Sequence, residues 1–274
     1  YENSLESDLI ANLATSLYAT EVDWGLAMQQ GVADFPGDFS KIEAGEFSIE
    51  ALDYHYVLVG AAGFPLNADG DDLLDENGNY DRNAATTRTS TEWTYRLRDD
   101  IKFQDGTPVT AHTYAYTLKQ YLDPVQNNYR ANTMYRTKAN KNGVPILNAF
   151  EYFSQSVLVL DDEGKPVEDE EGNHVYEPAE VPWESVGIEV IDEYTFKMKF
   201  HEPYTQAAAV SFGSFRLVHP ERYEASLNKE TGNTNYGTPN NPYVSYGPYV
   251  LKSWDQDQKL VFNKNYDYVA RGNV

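Results

Sequence analysis

The chain has 274 residues, of which 43 are acidic and 21 are basic, so its formal net charge is −22. A field of that sign repels phosphate backbones, which argues against nucleic-acid binding. The absence of cysteine excludes disulfides and thiol chemistry, and no run of about 18 apolar residues could span a membrane.

The N-terminal region combines a predicted helix, a strand and an acidic insertion. Apolar residues recur at three- and four-residue steps between Asp8 and Tyr18, which predicts a short amphipathic helix. Residues 54–64 open with a strand-like apolar run that ends at Gly60. Residues 67–83 are rich in Asp, Asn and Gly, which predicts an exposed loop or hairpin.

In the middle of the chain, the spacing of apolar residues changes from a strand-like to a helix-like period. Residues 92–103 alternate between apolar and polar side chains, which predicts a strand with one buried face. Residues 111–122 then place their apolar side chains along one helical stripe, and Thr110 can cap the helix that this stripe predicts.

Hairpin signals dominate the remainder. Residues 160–178 are acidic and contain two Glu-Gly turns, which predicts an exposed hairpin. Residues 186–203 read as two alternating strands that turn at Asp192, and residues 243–268 read as a hairpin that turns near 255–258. No internal repeat is evident, and the mixture of helices and strands places the chain in the α/β or α+β class.

Four sequence blocks stand in an order that is typical of one known family. The blocks are "WTYRLRDDIKFQDGTPVTAHTYAYTLKQYLDP", "VGIEVIDEYTFKMKFHEP", "LVHPERY" and "SYGPYVLKSWDQDQKLVFNKNYDY". Together they resemble the family-5 solute-binding proteins of ABC importers, which include the oligopeptide- and dipeptide-binding proteins. The two acidic insertions are longer than the family pattern leads us to expect.

The resemblance implies an α/β fold of the periplasmic-binding-protein type (class II, family 5). It implies the first of two lobes, with a mixed β-sheet, helices and β-hairpin insertions. Residues 1–14 and 221–274 would form a core subdomain, residues 15–220 an inserted subdomain, and the second lobe would lie outside this sequence. Such proteins bind and deliver a ligand without covalent chemistry, so we expect no enzyme activity and no catalytic residues.

The implied function is capture of oligopeptides or dipeptides and delivery to ABC permease subunits in the membrane. We expect an extracellular or periplasmic protein, anchored as a lipoprotein through a segment outside this sequence, because its first residues resemble the interior of a longer chain. Related proteins take nickel, haem, glutathione or oligosaccharides, so a non-peptide ligand stays an alternative.

The resemblance also assigns candidate ligand-binding residues. Glu2, Asn3 and Ser4 match the positions that meet the peptide backbone by strand addition. Tyr129 matches a tyrosine that lines the peptide cleft. Ser245 and Tyr246, in the "SYGPY" turn, are further candidates, although packing is the favoured role for both.

The first acidic insertion is also a candidate calcium loop. Asn67, Asp69, Asp71 and Asp75 offer oxygen ligands at alternating positions. An EF-hand loop starting at Asn67 would need Gly at its sixth position and Glu at its twelfth, where this chain has Asp72 and Gly78. A solvated hairpin is therefore the favoured interpretation, and no other cofactor is expected. A calcium-dependent carbohydrate-binding or adhesion module stays as a second class of function.

Overall fold

The computed structural model describes residues 12–22, 54–71, 74–78, 81–255 and 258–268. The described strands are β1 (Tyr18–Val22), β2 (Tyr54–Leu58), β3 (Thr89–Arg96), β4 (Ser156–Leu158), β5 (Tyr176–Pro178), β6 (Ile188–Asp192), β7 (Thr195–Thr205), β8 (Tyr249–Asp255) and β9 (Lys259–Lys264). The described helices are α1 (Arg82–Thr87), α2 (Ala111–Leu122), α3 (Ala149–Ser154), α4 (Gln206–Phe212) and α5 (Pro220–Ser226), with 3-10 turns at Ala131–Thr133 and Trp183–Ser185.

The strands pair in four antiparallel groups within the described ranges. A three-stranded sheet has the order β3-β7-β6, and β1-β2, β4-β5 and β8-β9 form two-stranded ribbons. The strands and helices predicted within 54–64, 111–122, 186–203 and 243–268 are confirmed. None of the described helices is long and apolar enough to cross a membrane.

The core lies between the three-stranded sheet and α2. Trp93 and Tyr95 of β3 are fully buried, and Tyr95 stacks on Phe196 of β7 with ring centroids 4.9 Å apart. Tyr114 of α2 covers the other face of Phe196 at 4.7 Å, and Leu118 is buried beside it. Burying each such side chain stabilises the fold by about 1.5–3 kcal/mol, so the predicted alternation and the helical stripe meet in one core.

β3 is shorter than predicted. It ends at Arg96, and Leu97 makes only an isolated bridge to Ala61. The chain then turns, and the Arg98 guanidinium pairs with the Asp100 carboxylate, with Nη2 to Oδ2 at 2.6 Å and Nε to Oδ1 at 2.9 Å. The strand prediction therefore holds for residues 92–96 and is wrong for most of 97–103.

The predicted helix over residues 8–18 is wrong in its described part. Asn12 and Leu13 lie in a turn, and β1 begins at Tyr18. The reason is tertiary: the Leu17 carbonyl accepts hydrogen bonds from backbone amides of 59–61, and the Leu13 carbonyl accepts from the chain near residue 245. Residues 8–11 lie outside the described residues.

The second insertion protrudes as predicted, but it is more regular than a plain hairpin. Val159, Val167 and Val175 stand eight residues apart and close a ring of backbone hydrogen bonds. Val167 donates to Val159, Val175 donates to Val167 and Val159 donates to Val175, each at 2.9 Å. Each of the three chain segments is therefore hydrogen-bonded to both of the others at these valines. This leaves fewer free backbone groups in the exposed insertion that could pair with the strand edge of another molecule.

The turns of both insertions share one design. The Asp161 and Asp169 side chains accept backbone amides at the ends of their own turns, and the glycine three residues on has φ near +80°, where other residues are strained. In the first insertion Asn67 and Asp75 make the same turn. A turn from an Asn or Asp to a glycine three residues on therefore recurs at an eight-residue spacing in each insertion, a short repeat that the sequence analysis did not identify.

Candidate functional site

Three of the four sequence blocks meet at the turn of residues 103–107. Phe103 lies 4.6 Å from the His219 ring and 5.5 Å edge-on from the Tyr246 ring, so it joins the first, third and fourth blocks in one aromatic cluster. On the other side of the turn, the Gln104 amide donates to the Ser245 carbonyl, and the Ser245 amide donates to Gln104 Oε1. The turn therefore contacts chain segments that lie more than one hundred residues further along the sequence.

His219 makes hydrogen bonds at this junction through both of its ring nitrogens. Its Nδ1 accepts the Arg222 amide at 3.4 Å and so caps the N-terminus of α5. Nε2 must then carry the proton, which it donates towards Asp105 Oδ2 at 3.0 Å, with Thr107 Oγ1 at 3.3 Å. The ring is 1% exposed, and both of its nitrogens lie within hydrogen-bond distance of a partner, as is usual for a buried polar side chain.

The carboxylate of Asp105 is tuned by its surroundings. Partial burial alone would raise its pKa, but the Thr107 amide and hydroxyl and the His219 ring donate to the carboxylate or face it. Their combined effect holds the pKa of Asp105 below its usual value, so the group is an anion at neutral pH.

Side-chain hydroxyls hold the segment that enters α5. Three successive amides, those of Leu217, Val218 and His219, donate to the hydroxyls of Tyr246, Thr117 and Tyr236 at 3.0, 3.1 and 3.3 Å. The segment pairs with no named strand of the described chain, so these hydroxyls take the place of a strand ladder.

Ser245 and Tyr246, predicted as ligand candidates, are interior residues. Ser245 is 0% and Tyr246 1% exposed, and burial raises the pKa of Tyr246 to about 12. Their polar atoms contact the chain itself: Ser245 Oγ donates to the Leu13 carbonyl at 2.8 Å, and Tyr246 Oη accepts from Leu217. The geometry agrees with the favoured packing role.

Tyr129 is placed very differently, on the loop that follows α2. Its side chain is 65% exposed, and the Arg130 guanidinium stacks over its ring at 5.3 Å while Arg130 Nε donates to its hydroxyl at 3.1 Å. An exposed aromatic face held by a stacked arginine can cover an apolar or planar ligand group. Glu2, Asn3 and Ser4 lie outside the described residues.

The candidate calcium ligands occupy two separate turns. Asn67 Oδ1 accepts the amides of Asp69 and Asp71, and Asp75 Oδ1 accepts the Asn77 amide. Asp71 also forms an ion pair with Arg88 at 2.8 Å. Within the described ranges, no three His, Asp or Glu side chains are grouped so that they could hold a metal ion.

A shallow groove of about 530 Å³ lies between α2 and α5. Its lining is mainly apolar and includes Pro108, His112, Tyr116, Lys119, Trp183 and Pro220. The Lys119 ammonium lies 5.8 Å from the Trp183 ring centroid, so a cation–π contact bridges part of the groove.

Sequence reasoning missed the contact between Asp105 and His219. Both residues stood in quoted blocks, but nothing in either block indicates a contact across 114 positions. It also missed Arg136, whose guanidinium carbon lies 5.3 Å from the Tyr204 ring centroid and 5.5 Å from that of Phe212. The sequence did offer one indication of Arg136: residues 130–141 contain four basic and no acidic side chains in an otherwise acidic chain.

Comparison with known proteins identifies the family. Residues 83–274 match the family model for bacterial extracellular solute-binding proteins, family 5 Middle. This chain belongs to that family. All four sequence blocks lie within the matched range.

Curated relatives and a solved structure agree with the assignment. The periplasmic oligopeptide-binding protein OppA of Salmonella typhimurium is 27% identical over 178 residues, which are 64% of this chain and 26% of that protein. The oligopeptide-binding protein OppA of Bacillus subtilis is 24% identical over 212 residues, 76% of this chain and 31% of that protein. This chain therefore spans less than a third of the length of either relative.

The fold is also shared with a solved receptor. The structure described as the pheromone receptor PrgZ, with its mode of peptide binding, superposes with a TM-score of 0.54 at 16% identity. The match covers 98% of this chain and 36% of that one, and it establishes the α/β solute-binding-protein fold.

Proposed function

We propose that this protein is the extracellular substrate-binding component of an ABC importer, which captures oligopeptides and delivers them to membrane permease subunits. The observation that carries the proposal is the family match over residues 83–274, together with two relatives whose names describe oligopeptide binding.

The proposed lobe has two subdomains. Residues 1–14 and 221–274 form the core subdomain, and residues 15–220 are inserted into it. Hydrogen bonds from residues 245–249 to the carbonyls of Asn12 and Leu13 support this division, because they join the two ends of the proposed core. The hydroxyl-held segment 217–219 then marks the return from the inserted subdomain.

The peptide lies between this lobe and a second one in the proposed receptor. Glu2, Asn3 and Ser4 bind its backbone by strand addition, and Tyr129 covers one of its side chains. Closure of the two lobes around the ligand is a hinge motion, stabilised by contacts that exist only in the closed state. The receptor works outside the cytoplasmic membrane and is held there by a lipid anchor.

The direct test is calorimetric titration of the full-length protein with a mixed pool of synthetic pentapeptides. We expect saturable binding that is unchanged by calcium or a chelator. Tyr129→Ala should weaken binding at least about fivefold, since an aromatic contact contributes on the order of 1 kcal/mol. Tyr266→Ala is the matched control because Tyr266 is 86% exposed and also lies against a cation, that of Lys264 at 5.4 Å.

The control variant should bind within twofold of the wild-type protein. Failure of the wild-type protein to bind any member of the pool would refute the proposal, as would binding that requires calcium and a glycan. Equal weakening by both tyrosine variants would remove Tyr129 from the site but leave peptide capture intact.

A further inference from the structure

We propose that Asn142 is a site of covalent self-modification: the backbone nitrogen of Gly143 attacks the Asn142 side chain, and the products are aspartate and isoaspartate. The inference is independent of the proposed function, because it needs no ligand and no second lobe. It rests on a comparison of the two Asn-Gly pairs in this chain, Asn77-Gly78 and Asn142-Gly143.

The reaction needs only the chain and water. After its amide proton is lost to hydroxide, the Gly143 nitrogen forms a bond to Asn142 Cγ, the Cγ–Nδ2 bond breaks, and ammonia leaves. Water then opens the resulting succinimide by breaking a C–N bond at either carbonyl, which gives aspartate or isoaspartate. The net change is one water gained and one ammonia lost, without oxidation. Because both reacting groups belong to adjacent residues, the attack is intramolecular.

The attacking amide is hydrogen-bonded in one pair and free in the other. The Gly78 amide donates to the Asp75 carbonyl at 2.9 Å, in a turn where Asp75 Oδ1 also accepts the Asn77 amide. In the described parts of the chain, neither the Gly143 amide nor the exposed Asn142 side chain makes a hydrogen bond. A donated hydrogen bond must break before the nitrogen can attack, so the barrier is lower at Gly143.

Charge favours the same pair. Residues 130–141 contain four basic and no acidic side chains, and the Gly143 carbonyl accepts a hydrogen bond from Arg136 Nε. Asn77 lies instead in the acidic first insertion. The deprotonated amide and the oxyanion that forms at Cγ are both negative, so a positive field lowers their free energy and a negative field raises it.

The modification would disturb a closely packed loop. Only glycine fits at position 143, because a Cβ there would lie 1.9 Å from the Tyr135 carbonyl oxygen. Isoaspartate adds one methylene group to the main chain immediately before this position. The contact of Gly143 with Arg136 is then displaced, together with the hydrogen bond from the Val144 amide to the Thr133 carbonyl at 2.9 Å.

The first test compares the two pairs within one molecule. Folded full-length protein is incubated at neutral pH and digested with chymotrypsin in isotopically labelled water, which marks any modification made during digestion. Mass spectrometry then quantifies both products at each site. We expect isoaspartate at Asn142 to accumulate at least about fivefold faster than at Asn77, as one hydrogen bond of ordinary strength would give. Isoaspartate is diagnostic, since direct hydrolysis of the side chain gives aspartate alone.

The same incubation in guanidinium chloride is the control, because this denaturant unfolds the turn and screens the charges. The two rates should then agree within about twofold. An equal or faster rate at Asn77 in the folded protein would overturn the inference. So would a preference that persists unchanged in denaturant, since local sequence would then set the rates, and so would aspartate as the only product at Asn142.

A charge-matched variant isolates the effect of the added methylene group. Asn142→Asp introduces the negative charge with an unchanged backbone, whereas the chromatographically separated isoaspartate form carries both changes. We expect hydrogen exchange at the Val144 amide to rise about fivefold or more in the isoaspartate form and to stay within about twofold of the wild-type value in Asn142→Asp. Equal exchange in all three proteins would overturn the predicted displacement of the loop.

Discussion

The hydroxyl of Tyr236 provides the sharpest test of the junction. It accepts two backbone amides, that of His219 at 3.3 Å and that of Val244 at 3.1 Å. The change Tyr236→Phe keeps the ring and removes only the oxygen, so both amides lose their acceptor. Both residues are buried, with His219 at 1% and Val244 at 9% exposure.

The expected cost follows from the number of amides left unpaired. A buried donor without a partner costs about 1–3 kcal/mol, so Tyr236→Phe should lower the free energy of unfolding by about 2–4 kcal/mol, allowing for water at the half-buried ring edge. Tyr246→Phe leaves one amide unpaired, that of Leu217, and should cost about 1–3 kcal/mol. The more exposed tyrosine is therefore the more costly to change.

Equilibrium urea unfolding at neutral pH measures both values. Tyr116→Phe is the control, because the Tyr116 hydroxyl donates to the Glu224 carboxylate, which Lys229 still contacts after the change. We expect a cost under about 1 kcal/mol for it, as for other substitutions that leave no buried group unpaired. If Tyr236→Phe cost no more than Tyr116→Phe, the hydroxyl-held segment would not be a stabilising feature.

Three further predictions concern the same frame. Because the folded-state pKa of Asp105 is lowered, its contribution to stability is present above about pH 4 and is lost as the pH falls further. The free energies of unfolding of the wild-type protein and Asp105→Asn, measured in urea, should therefore converge in acid. At pH 7 they should differ by less than about 1 kcal/mol, because this carboxylate is partly exposed. Gly213→Ala should cost about 1–3 kcal/mol, because its Cβ would lie 2.5 Å from Tyr95 Cε1, and an unchanged melting temperature would contradict this packing. Leu118→Ala should cost about 2–5 kcal/mol by urea unfolding, and a cost below 1 kcal/mol would place α2 outside the core.

The elements that sequence could predict are those whose burial pattern is periodic. Residues 92–96 alternate and 111–122 follow a helical stripe because each element packs one face on the same core. The apolar spacing near Leu13 and Leu17 fits a helix equally well, yet tertiary hydrogen bonds take up the backbone there. Local periodicity cannot register such partners, which are residues 59–61 for Leu17 and Tyr246 for Leu13.

The sequence motifs contain the residues of the candidate site, but the contacts between those residues could not be predicted from the sequence. The quoted motifs contain Asp105, His219 and Ser245, and the structure brings all three to one turn. Their roles depend on which side-chain atom meets which backbone amide, and that is decided by packing across the fold. Tyr129 was assigned only through the family resemblance; the structure places it on the surface, and its contact with a ligand stays a prediction.

The central claim, capture of a peptide between two lobes, is tested most directly by calorimetry on two proteins with one pentapeptide pool. The account predicts that the full-length protein binds tightly and that residues 1–274 alone bind weakly or not at all. One lobe supplies only part of the contacts, and affinity is what remains after an association cost of several kcal/mol. Equal, tight binding by both proteins would contradict the two-lobed account and show that the binding site is complete within these 274 residues.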